Sequence, residues 1–335
     1  MTFETKRPTN PLAEEILGLY FPILDKGFAA LKDYSGSDQE IEEAARVSYG
    51  AGTRKTSETK GLIRYLKRHS HSSPTEMVDL KFHICCPIFV MRQLVRHRTS
   101  SMNEYSGRYS LMPMLFYTPE KENMALQSKN NNQGRGEIVS EEFYYQTISQ
   151  WNKLREDNAQ LYENLTENDL ARELARIDLP LSTYTQFYWK INLHNLFHFL
   201  KLRVDSHSQF EIQEYGKVLA GMVKRVAPLS YEAWVDYDLC AEKMSRMEME
   251  VLKKYIHVGS NQQGDKYIGN REHDITYSED VREDISAREF KELLNKFSQN
   301  NTVPNFDLDL TTAKDGKYFE ELMLAAVPKI DKKVI

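Results

Sequence analysis

Three observations predict a fold of mixed strands and helices. Residues 78–84 (VDLKFHI) alternate apolar and polar side chains with the period of two that a half-buried strand needs. Residues 182–191 (STYTQFYWKI) carry β-branched and aromatic residues at strand density. Two stretches, 139–165 and 208–226, read as long helices, the first with Phe143, Ile148, Trp151 and Leu154 as expected core contacts.

The first 20 residues read as an arm ending in a short helix. PILDKGFAALKDYSGS then reads as an extended segment followed by a turn. Residues 39–48 and 57–69 have helical character, with Leu62, Ile63 and Leu66 on one face of the second. Pro87 suits the first position of a helix over PIFVMRQLVRH, striped by Ile88, Met91, Leu94 and Val95. Arg92 and Arg96, four apart, share a face there, and the small polar residues 99–103 predict fraying near Arg98. SKNNNQGRG, within 121–138, predicts a mobile surface loop. DLARELARI predicts a helix closed off by Pro180. Asn192 stands where an N-cap belongs, ahead of LHNLFHFLKLR. Past residue 245 the chain turns polar, with short helical patterns near 282–298 and 316–325. The expected division is an arm over 1–20, a domain over 21–245 and an appendage of unassigned role over 246–335.

With 335 residues, 41% of them hydrophobic and 28% charged, the chain can bury a real core. The net charge of -5 argues against a bulk polyanion binder, so any anion site is local. Cys85, Cys86 and Cys240 form no C-x-x-C pair and read as small buried hydrophobes of a reducing compartment. The N-terminal stretch lacks a long apolar run and a small-residue cleavage site, and nothing approaches a bilayer-spanning length. A cytoplasmic protein with no membrane partner is expected.

RHRTSSMNEYSGRY, residues 96–109, concentrates charge that needs explaining. Arginines in a helix's last turn complement its dipole, which accounts for Arg96 or Arg98. That leaves His97 between them and Arg108 in a Ser/Gly context, while like charges repel by about 1 kcal/mol at 4 Å even in water. An anion would offset the repulsion. Guanidinium forks suit phosphate oxygens, and Ser106 and the backbone around Gly107 add neutral donors. Glu104 would repel phosphate but accepts from a sugar hydroxyl or a base N–H. The mixture points to a nucleotide, or two.

Arg96-His97-Arg98, seven residues, then Ser106 is similar to the signature of the flavin-dependent thymidylate synthases, the thymidylate synthase complementing protein family. The resemblance runs in order through AARVS (44–48), HSHSSPTE (69–76), PIFVMRQLVRHR (87–98), ARIDLP (175–180) and FLKLRVDSHSQFEIQ (199–213). It implies an α+β fold, a sheet packed with long helices and not a Rossmann fold; no G-x-G-x-x-G follows a strand here. It also implies reductive methylation of deoxyuridine monophosphate (dUMP) to thymidine monophosphate. Methylenetetrahydrofolate would be the carbon donor, FAD the hydride carrier and NADPH the reductant, in a homotetramer with shared active sites.

Carried over by position, Gln93, Leu94, Val95, Arg96, Glu104, Tyr105, Ser106, Gly107, Arg108, Arg176 and Arg203 would hold dUMP. Ser73, Arg96, His97, Arg98, Glu104, Asn192, Leu193, His194 and His198 would contact FAD, with Ser48 and His71 as further wall residues. Arg203 would be catalytic, lying against the pyrimidine and favouring ionisation at N3. A cysteine added to C6 is the usual route to a nucleophilic C5. No cysteine falls in the anion-binding blocks, and a permanent cation at the ring is the electrostatic alternative.

Without the resemblance, Arg203 is a helix-terminal surface arginine and Arg176 a surface charge. His69, His71 and His83 mix loop and strand with no fourth ligand, so no metal is expected. Tyr184, Phe187, Tyr188 and Trp189 read as core or subunit contacts, and His207 as either an orienting group behind the site or a polar cap. Met77 stands where relatives often carry His, and His198 where some carry Asn. The competing readings are an inactive flavin- or nucleotide-binding relative and a module gripping single-stranded nucleic acid. The acidic balance disfavours the latter, and no nucleic-acid partner is expected.

Overall fold

In a computed structural model of the chain, the described residues are 7–48, 58–129, 134–260, 266–270, 290–291, 294, 296–297 and 303–329. The chain divides into two compact units, Met1–Trp234 with Asn305–Ile335, and Val235–Pro304. The segment expected as one appendage over 246–335 thus splits, its last part belonging to the first unit.

After a short helix α1 (Pro11–Glu14), the first unit is built on a five-stranded antiparallel sheet in the order β1 (Tyr20–Ile23), β2 (Gly27–Ser35), β3 (Asp79–Pro87), β7 (Tyr184–Asn192), β4 (Ser101–Glu104). β1 (Tyr20–Ile23) and β2 (Gly27–Ser35) form a hairpin. The stretch expected as a single extended segment therefore folds back at Leu24, whose φ is 60°. Gly36, at φ 85°, ends β2, and Ser37 with Glu40 makes a reciprocal capping box that starts α2 (Asp38–Arg46). α3 (Thr59–Arg68) buries Ile63 and Leu66 of its expected face. β3 (Asp79–Pro87) runs past the expected strand through both cysteines. It pairs β7 (Tyr184–Asn192) in unbroken register, from Asp79↔Asn192 to Pro87↔Tyr184.

Alternation sorts the sheet's two faces. Leu80, Phe82, Phe187 and Trp189 are buried; Trp189 meets Phe199 of α7 (Leu193–Arg203) at 5.1 Å. α8 (Phe210–Val226) packs on the β1–β2 hairpin and on α7. On the opposite face Tyr20, Phe28 and Cys85 join Phe319 and Met323, from the helix Gly316–Ala325 predicted near the chain's end. That segment is stitched on by reciprocal backbone bonds between Tyr20 and Lys314, at 3.0 and 2.8 Å, and by Met114 N–H to the Ala326 carbonyl at 2.8 Å. Of the four aromatics on β7, only Tyr188 is exposed, and it stacks on His83 at 4.7 Å.

Several expectations are corrected. The two sides of the expected surface loop pair as β5 (Ala125–Gln127) and β6 (Arg135–Ile138); residues 130–133 lie outside the described residues. The helix expected to fray near Arg98 ends at Leu94, and the small polar stretch beyond it gives β4 (Ser101–Glu104), because β7's free edge accepts it in the register Ser101↔Lys190 to Glu104↔Phe187. Val95 is 40% exposed, off the stripe of α4 (Ile88–Leu94). α5 (Glu141–Glu167) forms, but Phe143, Trp151 and Leu154 are exposed and the chain buries Arg155 and Tyr162 instead. Periodicity reveals an apolar stripe, not which chain covers it. Between Asp169 and Ile177 only a single helical turn forms, α6 (Arg172–Ala175). α9 (Pro228–Trp234) closes the unit.

The second unit contains a π-helical turn Val235–Leu239, a helix Arg246–Tyr255 with a Ser245/Glu248 cap, and a hairpin of Ile256–Ser260 with Lys266–Asn270. Most of the helical pattern near 282–298 lies outside the described residues. No helix among the described residues is long and apolar enough to cross a membrane.

Candidate active site

Pro87 ends β3 and stands at the N-cap of α4, one place before the expected first position. The free N–H groups of Ile88 and Phe89 bond Thr183 and Leu181 carbonyls at 2.9 and 3.1 Å. α4 is thereby fixed to the start of β7, and the turn just past its end delivers Arg96, His97 and Arg98. His97 turns inward. Its ring meets Phe199 edge-on at 4.9 Å and His198 at 6.0 Å, and its Nε2 accepts from Arg203 Nε at 3.2 Å. Burial, then the Arg203 charge and His198, pull the imidazole down to about 4, so it is neutral and accepts at Nε2. Arg203 sits in the last turn of α7 and loses some basicity to burial, yet a guanidinium remains charged. Arg96 and Arg98 point to solvent and have no ion-pair partner among the described residues.

α7 is launched by Asn192, whose side chain accepts from Asn195 N–H at 2.9 Å as its N-cap. His194 and His198, one turn apart, share a face of this helix. The 3-10 turn Ser73–Met77 packs against α7, with Ser73 and Met77 exposed and Pro74 buried. His71 is exposed with its ring 5.8 Å from Tyr65, and Ser48 is exposed just past the end of α2.

A cavity of about 530 Å3 opens beside Arg203, walled by Gln93, Lys201, Asp205, His207 and Gln209 among others. Gln93 Nε2 donates to Gln209 Oε1 at 2.7 Å. His207 gives both its backbone N–H and its Nδ1 edge to Asp205 Oδ1, each at 2.8 Å. Leu94 is fully buried, so its side chain cannot face this cavity.

A second group gathers after β4. Glu104 Oε1 accepts from Thr185 Oγ1 at 2.7 Å, and Tyr105 N–H bonds the Gln186 carbonyl at 2.8 Å. Ser106 Oγ accepts from Arg108 N–H at 3.3 Å. Gly107 is buried, and a Cβ built there would lie 2.7 Å from Met112 Sδ and 3.1 Å from Arg176 Cδ. Glycine is therefore what lets the Arg176 stem lie against this backbone. Arg108 meets Glu173 at 3.3 Å, both half exposed. Such a surface pair contributes about 0–1 kcal/mol and gives way readily to a stronger anion. Among the described residues no hydrogen bond or ion pair joins this group to His97 and Arg203.

Gln209, Asp205 and Glu173 were not singled out in the sequence. Gln209 lies inside the block 199–213, but amides and carboxylates on a solvated face carry no signal until a cavity forms beside them.

The fold and these donor groups define a nucleotide-handling α+β protein. The model of the thymidylate synthase complementing protein family matches residues 30–229. A flavin-dependent thymidylate synthase of Wolbachia pipientis wMel is 46% identical over 276 residues, 81% of this chain and 96% of that protein. One of Rickettsia bellii (strain RML369-C) is 46% identical over 272 residues, 76% of this chain and 92% of that protein. Among solved structures, the UMP/dUMP methylase PolB from Streptomyces cacaoi, bound with 5-Br UMP, aligns with a TM-score of 0.59 and 33% identity, over 65% of this chain and 97% of that one. The chain belongs to the thymidylate synthase complementing protein family, whose members named here are methyl-transferring enzymes.

Proposed function

We propose that this chain methylates dUMP at C5 to give thymidine monophosphate, taking the carbon from methylenetetrahydrofolate, with FAD as hydride carrier and NADPH as reductant. The observation that carries the reading is the Arg203–His97 pair beside the 530 Å3 cavity: a half-buried cation held by a neutral acceptor. Its charge is directed but not cancelled, which is what stabilising a pyrimidine anion at N3 requires. Electron density then rises at C5 without a covalent thiol adduct. Cys85 and Cys86 are fully buried and burial pushes both thiols up, so neither supplies a thiolate to C6.

Ser106, Gly107, Arg108 and Arg176 offer donors for the nucleotide phosphate, with Gln93, Val95, Arg96, Glu104 and Tyr105 alongside. Ser73, Arg96, His97, Arg98, Glu104, Asn192, Leu193, His194 and His198 would hold FAD. Their donor set fits an anionic diphosphate: two exposed guanidinium groups flank a neutral imidazole that packs on α7, the helix carrying His194 and His198. When bound, the flavin supplies the hydride chemistry that no side chain offers. Because the Ser106–Arg108 group and the Arg203 cavity are not bonded to one another in one chain, a homotetramer with pockets shared between subunits suits the arrangement. The exposed apolar residues of α5 supply a surface for such contact.

The test is dUMP-dependent oxidation of reduced flavin by the purified chain, with Arg203→Ala alongside. The variant is expected to keep its visible flavin absorbance and lose methylation by at least about a hundredfold. A chain that stays colourless with added FAD overturns the reading, and unchanged turnover in Arg203→Ala removes Arg203 from the chemistry.

A further inference from the structure

We infer that Arg135, on the β5–β6 hairpin, positions the nucleotide pocket through a relay of side chains; the inference rests on the dUMP reading above. Glu211 stands in the first turn of α8 with its side chain only 3% exposed. A carboxylate so buried needs compensation. Arg135 Nη2 reaches Glu211 Oε1 at 2.6 Å, and the Tyr117 hydroxyl donates to the same oxygen at 3.0 Å. The other oxygen, Oε2, accepts from Gln209 Nε2 at 2.9 Å. Gln209 Oε1 in turn accepts from Gln93 Nε2 at 2.7 Å, and both amides wall the cavity that holds Arg203.

Each link constrains the next. A glutamine on a solvated surface samples several rotamers, and freezing one costs entropy that a fixed partner must offset. Glu211 is that partner, and Arg135 holds its carboxylate in place. Arg135 is itself held, donating through Nη1 to the Asn123 carbonyl at 2.7 Å and lying 5.1 Å over the Phe210 ring. The dependence runs both ways. A two-stranded hairpin is marginal on its own, and this tie anchors it to α8. The hairpin thus acts as a positioning element for a pocket that it does not line.

The experiment uses the full chain with FAD and compares Arg135→Ala, Arg135→Lys, the double change Arg135→Ala with Glu211→Gln, and Glu137→Ala as a hairpin control. Arg135→Ala should raise the KM for dUMP about tenfold while kcat moves less than about twofold and flavin content holds. Arg135→Lys should recover part of the loss. The double change, which removes the stranded charge, should bind dUMP better than Arg135→Ala alone. Glu137→Ala should match the wild type. A merely structural role would lower the melting temperature and leave KM unmoved in the surviving enzyme, and that outcome overturns the inference. Hydrogen exchange separates the two readings. If the wild type ignores dUMP, loss of protection at the start of α8 in Arg135→Ala still supports the relay and condemns the site. Unchanged protection overturns the relay whatever the wild type does.

Discussion

His97→Gln should alter how the fold's stability depends on pH. In the folded chain the imidazole sits at about 4 against an ordinary value of 6.5, through burial first and the Arg203 charge second. The unfolded chain therefore binds a proton near pH 6 that the folded chain refuses. Stability is fully present above 6.5 and is lost as pH falls through the window toward 4. At about 1.4 kcal/mol per decade the gap corresponds to roughly 3 kcal/mol. Solvent reaches part of the ring and screens the Arg203 charge, so about 1–2 kcal/mol is the expected share. For a unit of this size that is a fall of roughly 2–8 °C in melting temperature. The assay is thermal unfolding of wild type and His97→Gln from about pH 8 to about pH 4.5. Glutamine keeps an acceptor for Arg203 but cannot titrate, so the other titrating groups cancel in the difference between the traces. The variant should lose less stability on acidification. Parallel traces would falsify the claim that His97 is held neutral by its surroundings.

Phe319→Ala empties a site that is 3% exposed and packed on Phe28 at 4.6 Å and Tyr20 at 5.9 Å. It should cost about 3–5 kcal/mol by thermal unfolding, whereas Leu324→Ala, 68% exposed on the same helix, should stay within about 0.5 kcal/mol; equal effects would mean the terminal helix does not dock as described. Gly107→Ala forces Met112 and the Arg176 stem aside, and since both are flexible side chains the fold should survive. The KM for dUMP should rise about tenfold, and an unchanged value would detach Arg176 from the Ser106–Arg108 group.

Local rules made some elements legible. Strand β3, the Asn192 cap and the terminal helix follow from alternation, capping chemistry and a compact apolar stripe. What stayed hidden depends on partners remote in sequence. β4 is four residues of mixed polarity, and only the free edge of β7 makes it a strand. Phe143, Trp151 and Leu154 have helical spacing but stay exposed among the described residues, because periodicity shows a stripe and not what covers it. In the candidate site, the arginines were legible because clustered charge is anomalous in an acidic chain. Gln209 and Arg135 were not, because a lone amide and a hairpin arginine are ordinary until Glu211 is buried between them.

The triad at 96–98 posed an electrostatic problem, and the geometry resolves it by separating roles. Two of its members, Arg96 and Arg98, face water, where repulsion between them is worth about 1 kcal/mol or less. The third, His97, faces the protein and is neutral there, so burying it adds no charge to the cluster. Its neutrality also decides what Arg203 can do. A carboxylate at His97 Nε2 would fix the guanidinium more strongly but cancel its field. The imidazole fixes it with a 3.2 Å hydrogen bond and leaves the positive charge uncompensated. An uncompensated, half-buried cation beside a cavity is costly in the empty protein, and that cost becomes binding energy when an anion enters. The same residues that look excessive without a ligand are therefore those expected where negative charge develops on one.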